Sequence, residues 1–150
     1  MIKIICVGRL KEKYLKDAIE EYSKRLSKYT KLEIVELKDL DYDITKTIKE
    51  EGQSILKHIE EKEYVITLEI NGKQLSSTEF ASILEKANIE YSNITFVIGG
   101  SYGLSNDVIN RSNYHLSFSK LTFPHQVFRI VLLEQIYIAY KINNNESYHK

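Results

Sequence analysis

A chain of 150 residues that is 43% hydrophobic and 28% charged has the size and composition of one globular domain, which excludes a disordered chain. Twenty-one basic and 21 acidic side chains give a formal charge of zero, which argues against a non-specific nucleic-acid binder; RNA contact has to rest on a local basic patch. The single cysteine, Cys6, has no disulfide partner and no spaced zinc ligands, and its apolar surroundings predict a buried structural thiol. The apolar start at residues 1–7 is too short for a signal peptide, and no stretch reaches membrane-spanning length, so a cytoplasmic protein is expected.

Residues 2–7 (Ile-Lys-Ile-Ile-Cys-Val) read as a buried strand ending at Gly8. A helix over 13–29 follows, with Leu15, Ile19, Tyr22 and Leu26 at helical spacing. Residues 32–37 alternate as a second strand, and the acidic stretch 39–43 reads as a solvated loop. Ile44, Ile48, Ile55 and Ile59 mark a second amphipathic helix, weakened at Gly52 by about 1 kcal/mol relative to Ala. Residues 64–70 form a third strand, closed by the Asn71-Gly72 turn signal. Ser76 and Glu79 are spaced as a capping box, opening a helix that turns Phe80, Ile83 and Ala87 inward. The apolar run 94–98 has the character of a central parallel strand. Ser105 is placed to cap a short helix, and Tyr114, Leu116 and Phe118 alternate as a fifth strand before a last helix over 126–142. Regular alternation of strand and helix predicts a single α/β domain over 1–150 with a mostly parallel sheet.

The last helix is apolar on nearly every face from Val127 to Tyr140. Such a helix needs cover on both sides, either from its own fold or from another subunit, and a homodimer is the preferred expectation.

Three segments could carry chemistry. Gly99-Gly100-Ser101-Tyr102-Gly103 follows a buried strand, where glycines allow a sharp bend or a ligand's close approach. The spacing matches neither the dinucleotide fingerprint nor a phosphate loop, so an ordinary tight turn and a cofactor loop both stay open. Residues 117–125 lead through the only proline, Pro124, into a helix on which His125 and Arg129 stand four apart. His125 either completes the helix start or, with Arg129, contacts an anion or RNA near the positive helix end. The tail ends Tyr148-His149-Lys150, and chain ends are by default expendable. His58 falls on the polar side of the second helix and His115 on the outward face of a strand; no histidine has metal-ligand spacing, and no nucleophile motif is present.

Taken in order, these segments resemble the ribosomal RNA large subunit methyltransferase H family, minimal members of the knotted SPOUT methyltransferases. The resemblance runs from Val7-Gly8 through residues 65–73 (Val-Ile-Thr-Leu-Glu-Ile-Asn-Gly-Lys), 96–104 (Phe-Val-Ile-Gly-Gly-Ser-Tyr-Gly-Leu) and 116–125 to Tyr148-His149-Lys150. It implies a SPOUT-type open, mostly parallel sheet flanked by helices, with a C-terminal trefoil knot. It further implies S-adenosylmethionine as cofactor, a homodimer, and methylation of N3 of a pseudouridine in 23S rRNA of the assembled ribosome. Carried over by position, Leu68 covers the cofactor and Gly99 lets it approach. Phe118, Ser119, Lys120, Leu121, Thr122 and Phe123 read the adenine edge through their main chain.

For the chemistry the resemblance points to His149 as first candidate base and His125 as second, with Tyr148 beside them. Arg129, Lys150 and Arg9 are expected to hold RNA phosphate. Where the family tail commonly carries Pro before Tyr-His, Ser147 stands here. A knotted enzyme for another rRNA or tRNA position and a non-catalytic dimer that binds RNA or a ribosomal protein are the competing expectations.

Overall fold

The computed structural model describes residues 1–148 and alternates strand and helix along its length. In order these are β1 (Ile2–Val7), α1 (Lys13–Leu26), β2 (Leu32–Leu37), α2 (Ile44–Leu56), β3 (Tyr64–Gln74), α3 (Ser77–Glu90), β4 (Ile94–Ile98), α4 (Asn106–Arg111), β5 (Tyr114–Ser117) and α5 (His125–Asn143). The strands form one sheet in the order β2-β1-β4-β3-β5, and every pairing is parallel. The α/β class with a parallel sheet is as the sequence predicts. Central β1 and β4 are buried at every position, which is why both read as continuous apolar runs.

Alternate side chains of these strands supply two cores. Ile2, Ile4, Cys6, Phe96 and Ile98 meet Leu26 of α1, Phe80 and Leu84 of α3, and Leu132, Leu133 and Ile136 of α5. Ile5, Val7, Val65 and Val97 face Ile55 of α2 and Val108 of α4. Burial pushes the Cys6 thiol up to about 11, so it stays protonated and inert near neutral pH. At the N-terminal end of the sheet, Lys3 pairs with buried Glu63 at 2.5 Å and donates to the His58 carbonyl, while Thr95 donates to Glu63 at 3.0 Å.

Helix α5 lies on the sheet and packs against both α1 and α3, and Tyr140 stacks on Tyr29 at 5.6 Å. Its own fold therefore covers much of the helix that the sequence marks as apolar all round. Ile130, Val131, Tyr137 and Ile138 remain half-buried, and Val127 is exposed. Among the described residues no helix is long and apolar enough to cross a membrane.

Four local readings change. Helix α1 stops at Leu26 and α2 at Leu56, short of the expected ends. The acidic loop is more than solvated, because Asp43 caps α2 by accepting from the Lys46 amide at 2.9 Å. Strand β3 does not close at Asn71-Gly72 but runs to Gln74: Leu68 and Lys73 both register with Leu116, and the residues between them bulge out. Gly72 permits this, since a Cβ there would stand 2.7 Å from the Leu116 carbonyl carbon.

Gly52 is buried against α4. A Cβ at this position would overlap the Ser105 hydroxyl and come 2.9 Å from Ser105 Cβ, disturbing the cap that Ser105 provides to the Val108 amide. Two effects oppose each other in Gly52→Ala: about 1 kcal/mol of helix propensity gained, and about 1–3 kcal/mol of overpacking lost. We expect the overpacking to dominate and urea denaturation to show net destabilisation. Adding Ser105→Gly should recover most of the loss, because glycine at a cap costs only a few tenths of a kcal/mol. Stability unchanged or raised in the single variant would contradict this packing.

Candidate active-site cleft

Open parallel sheets bind ligands beyond the carboxyl ends of their strands, and here β3, β4 and β5 deliver three chain segments to that end. Between them lies a cleft of about 440 Å³, within the usual range for a small-molecule site. Its walls come from the β3 bulge (Leu68 to Asn71), the turn after β4 (Ile98 to Leu104) and the segment after β5 (Leu116 to Phe123), with His125 and Phe128 of α5 at the rim.

The turn after β4 folds back on itself, the Gly103 amide donating to the Gly100 carbonyl at 3.1 Å. Gly103 has φ +86 with open space around a would-be Cβ, so the backbone conformation, not crowding, calls for glycine. Gly99 is different. A Cβ there would lie 2.9 Å from Leu104 and 3.0 Å from the Gly103 carbonyl, so its missing side chain first admits the returning turn. Gly100 rests on buried Glu51, whose Oε2 accepts from the Leu40 amide at 2.9 Å and whose Oε1 has no partner.

The β5 segment is tied locally: Ser117 donates to the Ser119 carbonyl at 3.2 Å, and the Leu121 amide donates to Ser119 Oγ at 3.0 Å. Phe118 and Phe123 both pack on Phe128, with ring centroids 5.0 and 5.5 Å away. Of the residues assigned to the cofactor, Leu68, Gly99, Phe118, Ser119, Leu121, Thr122 and Phe123 line the cleft; Lys120 is exposed and lies outside the lining.

The groups assigned to RNA and catalysis divide. His125 is exposed at the rim. Arg9 is exposed beside the start of α5, its carbonyl accepting from Gln126 at 3.4 Å. Tyr148 is half-buried and outside the lining, while His149 and Lys150 lie outside the described residues. Arg129 requires a correction. Its side chain is 2% exposed, paired with Glu36 at 2.7 Å and donating to the Gly8 carbonyl at 2.8 Å. Sharing a helix face with His125 does not bring it to the surface, because that turn of α5 faces the ends of β1 and β2.

One grouping escapes the sequence reading. Thr67 of β3 pairs in register with His115 of β5, and Glu69 follows on the same face. Thr67 donates to Glu69 Oε2 at 2.6 Å, His115 Nδ1 lies 2.6 Å from the same oxygen, and Ser112 Oγ lies 3.1 Å from that nitrogen. No local spacing announces this, since β4 separates β3 from β5 in the chain. Among the described residues, Glu69 is also the only Asp, Glu, Lys or Arg in the cleft lining. Among the described residues no three His, Cys, Asp or Glu side chains converge as a metal site.

The fold, and a cleft built from segments after three parallel strands, agree with what residues 1–149 match: the family described as "Predicted SPOUT methyltransferase". The chain belongs to the SPOUT methyltransferase family. It is 57% identical to the ribosomal RNA large subunit methyltransferase H of Clostridium novyi (strain NT) over 157 aligned positions, covering 99% of each chain. Identity to the protein of the same name from Clostridium tetani (strain Massachusetts / E88) is 54%, again over 99% of each. A solved structure of a probable methylase family protein from Haemophilus influenzae Rd KW20 matches with TM-score 0.60 at 16% identity. That match covers 99% of this chain and 70% of the other, and it speaks for the SPOUT fold alone.

A buried guanidinium and a surface phosphate contact give opposite results on removal. Arg129→Met should lower the unfolding free energy by about 2–4 kcal/mol, because it strips donors from the Gly8 carbonyl and unpairs Glu36. Denaturant unfolding measures this. Native stability together with weakened RNA binding would restore the surface role.

Proposed function

We propose that this SPOUT methyltransferase uses S-adenosylmethionine to methylate N3 of a pseudouridine in 23S rRNA, acting in the cytoplasm as a homodimer on the large subunit or assembled ribosome. The observation carrying this reading is the cleft: apolar walls, main-chain polar groups from three segments and, among the described residues, a single carboxylate side chain. The names of the near relatives support ribosomal RNA of the large subunit as substrate. The fold type supports a trefoil-knotted C-terminal half.

The residues present fit the cofactor. Leu68, Leu116 and Phe118 offer apolar surface to an adenine ring, and the main chain of 118–123 offers amides and carbonyls to its edge. Open space at Gly103 leaves the turn uncovered by side chain. When bound, the cofactor supplies an electrophilic methyl group on a positively charged sulfur.

The chain mainly positions the reactants, an effect worth up to ~7–11 kcal/mol. The target N3–H must lose its proton, and a neutral imidazole suits that task near pH 7, adding ~10²–10⁴-fold. His149 is the first assignment and rim-exposed His125 the second, with Tyr148 beside His149 in the tail. Arg9 and Lys150 are assigned to phosphate; Arg129 is left out because its side chain is committed inward. The half-buried face of α5 is the assigned dimer contact, and Ser147 before the tail leaves that segment freer than proline would.

Deleting the gene should remove one methyl group from one 23S pseudouridine, read by mass-spectrometric mapping, and adding the gene back should restore it. Loss at another rRNA or tRNA nucleotide would redirect the substrate, and no loss anywhere would favour a non-catalytic binder.

Removing residues 148–150 should leave cofactor affinity within about threefold and eliminate methyl transfer. Mixed dimers then assign the geometry. A subunit blocked in the cofactor cleft but carrying its tail is combined with a cleft-competent, tail-less subunit. Activity returns if tails serve the partner's cleft, and stays absent if each serves its own. Full activity of the truncated protein would remove the tail from the site.

A further inference from the structure

The cleft's electrostatics are lopsided. Among the described lining residues Glu69 is the only acidic one, and no lysine or arginine accompanies it. Its side chain is 19% exposed, so its field is only partly screened by water. The carboxylate is also fixed in place. Thr67 and His115 both hold Oε2 at 2.6 Å, and Ser112 steadies the same His115 nitrogen at 3.1 Å. The hydrogen bonds from Thr67 and His115 both end on Oε2, and Glu69 itself belongs to the cleft wall. Glu69 stands at the start of the β3 bulge, so its place in the cleft wall follows from the strand register.

Within the wall the carboxylate pairs with His115 and accepts from Thr67 through one oxygen. Toward the cleft the same negative charge favours a positive ligand over a neutral one. Resting on the cofactor assignment above, we propose that Glu69 is the specificity residue by which the cleft separates a sulfonium cofactor from its neutral thioether product. S-adenosylmethionine and S-adenosylhomocysteine share adenosine, α-amine and carboxylate; they differ by one methyl group and one positive charge on sulfur. During transfer the S–CH₃ bond breaks, its electron pair stays on sulfur, and the methyl group goes to the deprotonated N3 of the RNA base. Glu69 then faces an uncharged sulfur, and the attraction that favoured the loaded cofactor is gone. The same carboxylate thus favours loading and lets the spent cofactor leave.

The experiment is calorimetric titration of native protein and Glu69→Gln with S-adenosylmethionine, S-adenosylhomocysteine and sinefungin, whose amine places a positive charge near the sulfonium position. In the variant the ratio of dissociation constants, S-adenosylmethionine over S-adenosylhomocysteine, should rise about tenfold. Sinefungin should weaken in parallel with the sulfonium. Glu69→Asp, which keeps the charge, should hold the ratio within about threefold of native. If Glu69→Gln does not fold, native protein decides the matter, because added salt should raise the same ratio by screening. Equal weakening of all three ligands in a folded variant, or a ratio indifferent to both charge and salt, would overturn the proposal. Native protein that binds none of the three would instead remove the cofactor reading on which it stands.

Discussion

The guanidinium of Arg129 fixes how the ends of β1 and β2 and the first turns of α5 sit together. A parallel strand that stops inside a protein leaves carbonyls pointing beyond the sheet, and buried carbonyls need donors. At the end of β1 the donors come from α5: Arg129 Nη2 reaches the Gly8 carbonyl at 2.8 Å and Val7 at 3.4 Å, while Nη1 reaches Glu36 at 2.7 Å. Gly8, at φ +100, turns its carbonyl into reach, and a Cβ there would stand 3.7 Å from Nη2. Burying a guanidinium costs several kcal/mol, and Arg129 Nε remains without a partner. In exchange one side chain satisfies two chain ends at once. It also sets the rotation of α5, and the adjacent Phe128 is thereby held against Phe118 and Phe123. The rim of the cleft is thereby tied to the ends of β1 and β2.

The two ends of the sheet divide their tasks by chemistry. At the N-terminal end, Lys3, Glu63, Thr95 and the His58 carbonyl close a buried polar cluster in which each member has a partner. Its work is structural. At the C-terminal end, the segments after β3, β4 and β5 keep main-chain groups open to the cleft, and glycines replace side chains where the chain doubles back. Glu51 links this end to the fold beneath, one oxygen on the Leu40 amide and the other against Gly100.

Much of this was legible in the residues because local signals and tertiary structure agreed. The apolar runs of β1 and β4, the Ser76–Glu79 box and the Ser105 cap all appear where spacing places them. The signals that failed are those in which a neighbour distant in sequence overrides a local preference. Asn71-Gly72 has turn chemistry, yet pairing with β5 draws it into a bulged strand. Arg129 has the charge of a surface residue, yet the unsatisfied end of β1 claims it. The Thr67–Glu69–His115 grouping exists only because β5 crosses past β4 to lie beside β3. Gly99 follows a buried strand as a ligand-admitting glycine would, yet what approaches it within the fold is the chain's own turn.

The charge of the cleft also narrows what the site accepts. Dinucleotides and nucleoside phosphates bring two or more negative charges, and sites for them present cations or undiverted helix N-termini. Here the described lining holds no lysine or arginine; α4 has its Val108 amide engaged by Ser105, although α5 starts at the rim without a side-chain cap. Glu69 would repel a phosphate placed in the same volume. A nucleoside without phosphate, read by main-chain groups and carrying a positive charge, meets none of these penalties. On the same logic the proposed RNA contact lies outside the cleft, where exposed Arg9 stands beside the start of α5. A chain with zero net charge can still hold cations such as Arg9 outside the cleft, with Glu69 the one carboxylate in the described lining.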